Sequence, residues 1–365
     1  LLDDKKDLGG VSIYNNDDNF KINDQNVSKW LSNEIENLKK YPNLSIKTRT
    51  SLAAFHGYNY LLAKENLTDH LNVNDRKDKI RQRLWKIRAK KVIIATGAIE
   101  RPLIFNNNDR PGILLSSSIK KYIDYYGVKC GTKISIFTSN DSAYETVLSL
   151  YKNSVKVNSI IDIRDKSESL IVKKVQDIGI KIYWKHTVVN TKGYKRINSI
   201  ELMKLNEKGT GVIGDKINES CDCLGISGGW TPMVHLFTQS GGKLEFNRID
   251  NMFIPNENKS PSEQISVGSC NGDLELDDII KKTNLKTKEF LDINTSIFDS
   301  LKIQSSKEKN KKNIWLLPSD KPLGETKPFL DFQNDSTAKD VKLALREGFK
   351  SIEHVKRYTT TGMGT

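Results

Sequence analysis

The chain has 365 residues, of which 37% are hydrophobic, 8% aromatic and 28% charged, and its formal net charge is +13. That length accommodates two modest domains and a small extra module, and the composition is globular rather than disordered. No run approaches the roughly 18 consecutive apolar residues of a membrane helix, and no basic stretch leads into an apolar export segment, which leaves the cytoplasm as the default location.

The positive charge is spread along the whole sequence. Its densest run, Lys307-Glu308-Lys309-Asn310-Lys311-Lys312, sits between hydrophobic segments and reads as a solvated linker. Without an aromatic-interleaved basic motif, nucleic-acid binding is set aside. The four cysteines, Cys130, Cys221, Cys223 and Cys270, form no C-x-x-C pair and no zinc spacing. Cys221 and Cys223 flank Asp222 in an expected strand, would share one face, and read as buried, inert thiols. The sequence opens on Leu1 inside an apparent strand and stops at Thr365, so a fragment is expected.

In chain order, Leu1 to Asp4 reads as the end of a buried strand, followed by a loop to Gly9-Gly10. Residues 26 to 40 carry Val27, Trp30, Leu31, Ile35 and Leu38 at helical spacing. A short strand is expected over 44 to 48, then an antiparallel excursion over 55 to 91, then a buried strand Val92-Ile93-Ile94-Ala95 closing on Thr96-Gly97. A second unit starts at Gly131, with a strand over 133 to 137, a helix over 142 to 150 and a strand over 155 to 163. That βαβ unit is the building block of a nucleotide-type domain. Strands follow near 180 to 184, as a pair around 197 to 205, and over 222 to 227. Another strand over 265 to 268 leads to a helix at 277 to 282. Residues 301 to 328 read as linker apart from 313 to 317. In the tail, Ser336 or Thr337 caps a helix that runs to Arg346 and stops at Gly348, and Ser351 starts a second helix.

These elements predict an α/β fold of two interleaved Rossmann-like dinucleotide-binding domains, of the flavoprotein disulfide reductase type, plus a small C-terminal helical module. The expected boundaries are 1–130 for a first, NAD-binding domain and 131–250 for an inserted domain without nucleotide. The first domain resumes at 251–300, a linker spans 301–328, and the module spans 329–365.

An acid closing the second strand of a dinucleotide fold accepts hydrogen bonds from the adenosine ribose. Asp3 and Asp4 stand there, and two acids would also repel a 2′-phosphate, favouring NAD over NADP. In the second unit, Phe137-Thr138-Ser139-Asn140-Asp141-Ser142-Ala143 replaces the glycine-rich turn that admits a pyrophosphate, with Asp141 read as a helix cap. After the last strand, Gly268-Ser269 lacks the acid that holds a flavin's ribityl chain, which speaks for NAD over FAD. His186 and His235 receive no role.

Several motifs in order resemble the sarcosine oxidase α-subunit family: Gln82 to Lys90, Ala95-Thr96-Gly97-Ala98-Ile99-Glu100-Arg101-Pro102, and Asn108-Asp109-Arg110-Pro111-Gly112. Asn140 to Tyr144, Ser227-Gly228-Gly229-Trp230-Thr231-Pro232 and Asp331-Phe332-Gln333-Asn334-Asp335 continue the series. The resemblance implies an N-terminal glycine fingerprint and a C-terminal folate domain outside this sequence. It implies an NAD in this subunit and an FMN shared with a β subunit, with γ and δ subunits completing the assembly. It also implies a complex that oxidises sarcosine to glycine with hydrogen peroxide, passing the one-carbon unit to tetrahydrofolate.

For NAD, the residues implied are Asp3, Asp4, Lys5, Val11, Leu52, Thr96, Gly97, Ser269, Leu274 and Leu276, while Leu52, Leu274 and Leu276 equally suit plain core packing. Arg101 and Arg110 are candidates for a flavin phosphate, although a structural role suits each at least as well. No catalytic residue and no metal ligand is named. The tail resembles the helical module of bacterioferritin-associated ferredoxin, but Asp331 and Gln333 stand where its C-x-C pair would be, so no iron–sulfur centre is expected. Alternatives are the α subunit of a related dehydrogenase (of proline, or of the hydrogen cyanide synthase type) and a non-catalytic nucleotide-binding scaffold.

Overall fold

A computed structural model describes residues 1–15, 20–261, 263–293, 301–304 and 312–364. The chain divides into two compact units, Leu1–Ile99 with Trp230–Lys307, and Glu100–Gly229 with Glu308–Thr365. Most of the basic run at 307–312, and part of the expected linker and of the resumed first domain, lie outside the described residues.

In the first unit the helix Val27–Leu38 forms as its spacing predicts, with the Asn26 side chain accepting from the Ser28 amide at 3.0 Å. The antiparallel excursion is a meander of three strands, Thr50–His56, Tyr60–Asn66 and Gln82–Arg88. Its alternation puts Phe55 and Leu61 into a core with Ile94, Phe237 and Cys270. Val92–Ile94 pairs in parallel with Gln264–Ser266.

Four expectations change here. Leu1 to Asp4 is not a buried strand: Leu2 alone makes a parallel bridge, to Lys47, and Leu1 is 56% exposed. That bridge is also all that remains of the strand expected over 44 to 48. The strand at 92 buries only Ile94, since its short ladder leaves Ile93 40% exposed. The helix expected at 277 to 282 runs from Leu276 to Leu291, with Asp277 and Asp278 in the first turn, where the helix dipole favours acids.

The second unit is built on a five-stranded parallel sheet. Its order is Lys181–Trp184, Val157–Asp162, Ile134–Thr138, Cys223–Ser227, Ile113–Leu115. Ile134, Ile136, Phe137, Ile160 and Ile161 are fully buried, as continuous apolar runs in a two-sided parallel sheet must be. Helices Ser116–Tyr126, Ser142–Lys152 and Leu170–Asp177 accompany the sheet. The unit begins at Glu100, not at 131, because Ile113–Leu115 pairs with Leu224–Ile226 rather than with anything in the first unit. Its first segment ends at Gly229, so 230–250 returns to the first unit, and the second unit resumes at Glu308. The antiparallel pair near 197 to 205 is three strands, His186–Gly193, Ile197–Leu205 and Val212–Ser220.

The tail helices Ala338–Arg346 and Ile352–Thr359 form as predicted, the first with a capping box. The Thr337 amide and hydroxyl donate to Asp340 at 2.8 and 2.7 Å.

Cys221 and Cys223 do not share a face. The strand starts only at Cys223, so the two-residue period does not reach back past Asp222, and the thiols pack into different clusters, Cys221 with Leu224 and Ile226, Cys223 with Ile134 and Ile136. Burial pushes both thiols up to about 12. Alkylation of the native protein at pH 8, mapped by peptide mass spectrometry, is therefore expected to spare Cys221, Cys223 and buried Cys270 until the chain is unfolded. Labelling of Cys221 at the rate of a free thiol would contradict the packing.

Candidate functional site

The residues expected to hold a dinucleotide all lie in the first unit. They fall into two groups, each at the C-terminal end of parallel-paired backbone, where open α/β sheets bind ligands. The first group is Asp3, Asp4 and Lys5. Asp3 donates its amide to Lys47 O at 2.9 Å and accepts at its own carbonyl from Thr50 at 2.8 Å. Its Oδ1 accepts the Lys5 amide at 2.8 Å, and Lys5 Nζ pairs with Asp4 Oδ2 at 2.6 Å. Val11 follows in the single turn Gly10–Tyr14 and is 60% exposed.

The second group surrounds the ends of the strands at 94 and 266. The Thr96 hydroxyl donates to Met233 O at 2.8 Å, and Gly97 accepts the Met233 amide at 2.9 Å. Gly97 has φ +76°, with open space where a side chain would be, so its backbone is approachable. Ser269 lies in the turn Gly268–Asn271, and the Cys270 thiol ties that turn to the Ile94 and Val267 carbonyls, both at 3.2 Å. Half-buried Leu274 and Leu276 lead into the last helix of the unit. Leu52 packs against the Phe55–Leu61 core, as plain core packing would have it. Sequence reasoning missed Ser266, whose buried hydroxyl has no partner among the described residues. It also missed Asp273, which Lys282 engages at 2.7 Å.

The two arginines separate. Arg110 spends its guanidinium inside the second unit, on Thr191 Oγ1 at 3.1 Å, on the Thr191 carbonyl at 3.4 Å and on the Gly193 carbonyl. It is a structural residue, because its donors already have acceptors. Arg101 lies over the Trp315 ring, 5.0 Å from its centroid, and exchanges backbone hydrogen bonds of 2.8 Å with Gly228 and Gly229. That exchange explains the glycine pair: a side chain on Gly228 would stand 2.8 Å from Pro102 O. Close by in sequence, Glu100 is buried, accepts the Ser117 amide at 2.8 Å, and has its pKa raised by burial.

In the second unit the place of a dinucleotide turn is filled from within. Asn140, not Asp141, caps the helix: its Oδ1 accepts the Ser142 amide at 3.1 Å while its Nδ2 donates to Ser227 Oγ at 2.9 Å. Asp141 instead meets Arg164 at 2.7 Å, and Arg164 reaches Asp162, the acid closing the second strand, also at 2.7 Å. Tyr144 donates to the same Asp162 carboxylate at 2.8 Å. Burial disfavours the charge on Arg164, which is 1% exposed, yet Asp162 and Asp141 hold it firmly protonated. Burial and then Asp162 raise the Tyr144 pKa well above its usual value.

In the tail, the Asp331 carboxylate accepts from the Gln333 and Asn334 amides, from Asn334 Nδ2 and from the Gly362 amide, at 2.7 to 3.1 Å. The side-chain bond from Asn334 and the amide of Gly362 hold its pKa down at about 2. Asp331 thus braces two loops across the module. Asp331→Asn is expected to speed hydrogen exchange at Gly362 and Asn334 while leaving the capping-box amide of Thr337 unchanged. Unchanged exchange at Gly362 would show the brace to be idle.

Residues 325–365 match the family model of the sarcosine oxidase A3 domain. The whole chain is similar to the sarcosine oxidase subunit alpha of Corynebacterium sp. strain U-96, 30% identical over 99% of this chain and 37% of that protein. It is likewise similar to the sarcosine oxidase subunit alpha of Rhizobium meliloti strain 1021, 29% identical over all of this chain and 35% of that protein. Among solved structures, L-proline dehydrogenase from P. horikoshii covers 100% of this chain and 65% of its own, with TM-score 0.66 and 19% identity. Thioredoxin reductase from T. acidophilum covers 74% and 81%, with TM-score 0.53 and 15% identity. The fold is therefore the α/β fold of interleaved Rossmann-like domains that these structures share. Within that class, the resemblance to the sarcosine oxidase α subunit holds across the chain, which spans a little over a third of the length of these relatives. No described helix is long and apolar enough to cross a membrane.

Proposed function

We propose that this chain is the dinucleotide-holding part of the α subunit of a sarcosine oxidase. The observation that carries the reading is the similarity to curated α subunits over 99 to 100% of its length. The first unit is the NAD domain. Asp3 and Asp4 offer carboxylates to the ribose, and the left-handed Gly97 lets backbone approach. Those residues fit a dinucleotide without the acid a flavin's ribityl chain would want, since Ser269 follows Gly268 where that acid would stand.

The second unit keeps the sheet as scaffold and takes no nucleotide, because Arg164 occupies both acids that border its turn. Arg110 does not fit a flavin-phosphate role; Arg101 is the residue retained for an FMN shared with a β subunit. The flavins of the assembly would carry electrons from sarcosine to oxygen, giving hydrogen peroxide, and a folate domain would accept the one-carbon unit. The residues described here bind and orient; none is proposed to move a proton. Partners would be β, γ and δ subunits, in the cytoplasm.

The test is to co-express the full-length protein with its partner subunits, assay peroxide from sarcosine, and identify released nucleotide by mass spectrometry. Turnover with NAD released supports the reading. An assembled complex without sarcosine-dependent peroxide removes the activity, and FAD released from this subunit in place of NAD removes the cofactor assignment.

A further inference from the structure

The meander of the first unit turns one face to the core. Its cross-strand register groups the other face in rows: His56 with Tyr60 and Arg88, Ala54 with Leu62 and Lys86, Ser51 with Lys64 and Leu84. Lys64, Lys86 and Arg88 are exposed, and none makes an ion pair among the described residues. No carboxylate stands in those rows. Glu65, on the opposite face, is taken by Arg83 and by Trp85 Nε1 at 2.7 Å. Between the cations runs an aliphatic strip, with Leu84 59% exposed.

The hairpin tip beside this face is built to present an aromatic ring. Tyr58 and Asn59 turn the chain with φ +57° and +50°, a geometry that favours Asn or Gly and strains a bulky residue in the first position. Asn59 anchors the turn, its Nδ2 donating to Lys90 O at 3.2 Å and Glu263 O at 2.9 Å. Tyr58 is left 92% exposed on a rigid support. Strain of this kind persists where surrounding structure over-determines it, and tyrosines on rigid supports are the usual anchors of protein interfaces.

We infer that this face, with Tyr58 at its edge, docks an acidic surface of a partner subunit. The inference rests on the proposed reading of the chain as one subunit of a complex. Charge complementarity selects the occupant: three uncompensated cations favour a carboxylate-rich face and disfavour a second copy of a chain carrying +13. The aliphatic strip suits a protein surface better than a phosphate backbone, which would leave Leu62 and Leu84 without a counterpart.

The experiment uses the full-length protein co-expressed with its partner subunits. One variant carries Lys64→Glu, Lys86→Glu and Arg88→Glu; a second carries Tyr58→Ala. A control carries the same charge change at exposed Lys129, Lys156 and Lys173. Complex formation is followed by sedimentation velocity across a salt series, with circular dichroism as the check on folding. The charge-reversed variant is expected to weaken assembly at least tenfold at low salt, Tyr58→Ala to weaken it at all salts, and the control to leave it intact. A complex that assembles equally well with both variants overturns the docking face and leaves the subunit reading standing. A wild-type chain that sediments alone overturns both. Retention of the wild type, but not the charge-reversed variant, on phosphatidylserine vesicles, with assembly unchanged, also overturns the face by assigning it to a membrane.

Discussion

Arg164→Ala is expected to destabilise the second unit by about 3–5 kcal/mol, the cost of stripping one partner from a buried ion pair. For a unit of this size that lowers the unfolding midpoint by roughly 6–20 °C, readable by calorimetry or circular dichroism. The size follows from position. Arg164 is 1% exposed, and removing it leaves the Asp141 and Asp162 carboxylates facing each other without their cation. An exposed pair would lose about 0–1 kcal/mol, so a drop that small would refute the buried triad. Combining Arg164→Met with Asp141→Asn and Asp162→Asn should recover much of the loss, because neutral groups of similar volume leave no charge uncompensated. Tyr144 gives an independent readout. Its raised pKa means that its contribution is full below the usual tyrosine range and is lost as pH rises through and beyond it. The wild-type second unit should therefore weaken in strong alkali, and the neutral triple variant, lacking the Asp162 carboxylate, should weaken less.

That triad marks where sequence reasoning stopped. The strand–helix–strand run from Ile134 to Asp162 was legible because each element carries its own period: continuous apolar strands, and a helix burying Ala143, Tyr144, Val147 and Leu150 on one side. Arg164 was not, since one arginine in the polar turn Arg164-Asp165-Lys166 looks like any solvated charge until the fold brings Asp141 to it across 23 residues. The unit boundary was missed for the same reason. Ile113–Leu115 is three residues long, and what assigns it to the second unit is a parallel ladder to Leu224–Ile226, more than a hundred residues away. Local pattern reports local structure; a pairing at that distance leaves no trace in it. The candidate dinucleotide residues were legible only as types. Asp3 follows the lone bridge at Leu2 and Thr96 lies two residues past the strand Val92–Ile94, while Ser266, a buried hydroxyl in the strand Gln264–Ser266, carries no motif at all.

Asp3→Asn combined with Asp4→Asn is expected to lower NAD retention by about 10- to 100-fold. The estimate takes a hydrogen bond to a charged group as worth about 1.5–3 kcal/mol, with 1.4 kcal/mol per factor of ten. Asparagine is chosen because its amide oxygen can still accept the Lys5 amide now held by Asp3 Oδ1, so the turn survives while the charge goes. Folding should barely respond: Asp4 and Lys5 have side chains 55% and 59% exposed, and such a pair adds little. For the same reason Asp4 can exchange Lys5 for a ribose at small cost. Removing both charges also removes the repulsion that disfavours a 2′-phosphate, so the variant's preference for NAD over NADP should narrow. Titration calorimetry of the nucleotide-stripped full-length protein with each dinucleotide measures both effects. Equal NAD affinity in wild type and variant, with an unchanged NAD to NADP ratio, would place the nucleotide somewhere other than beside these two carboxylates.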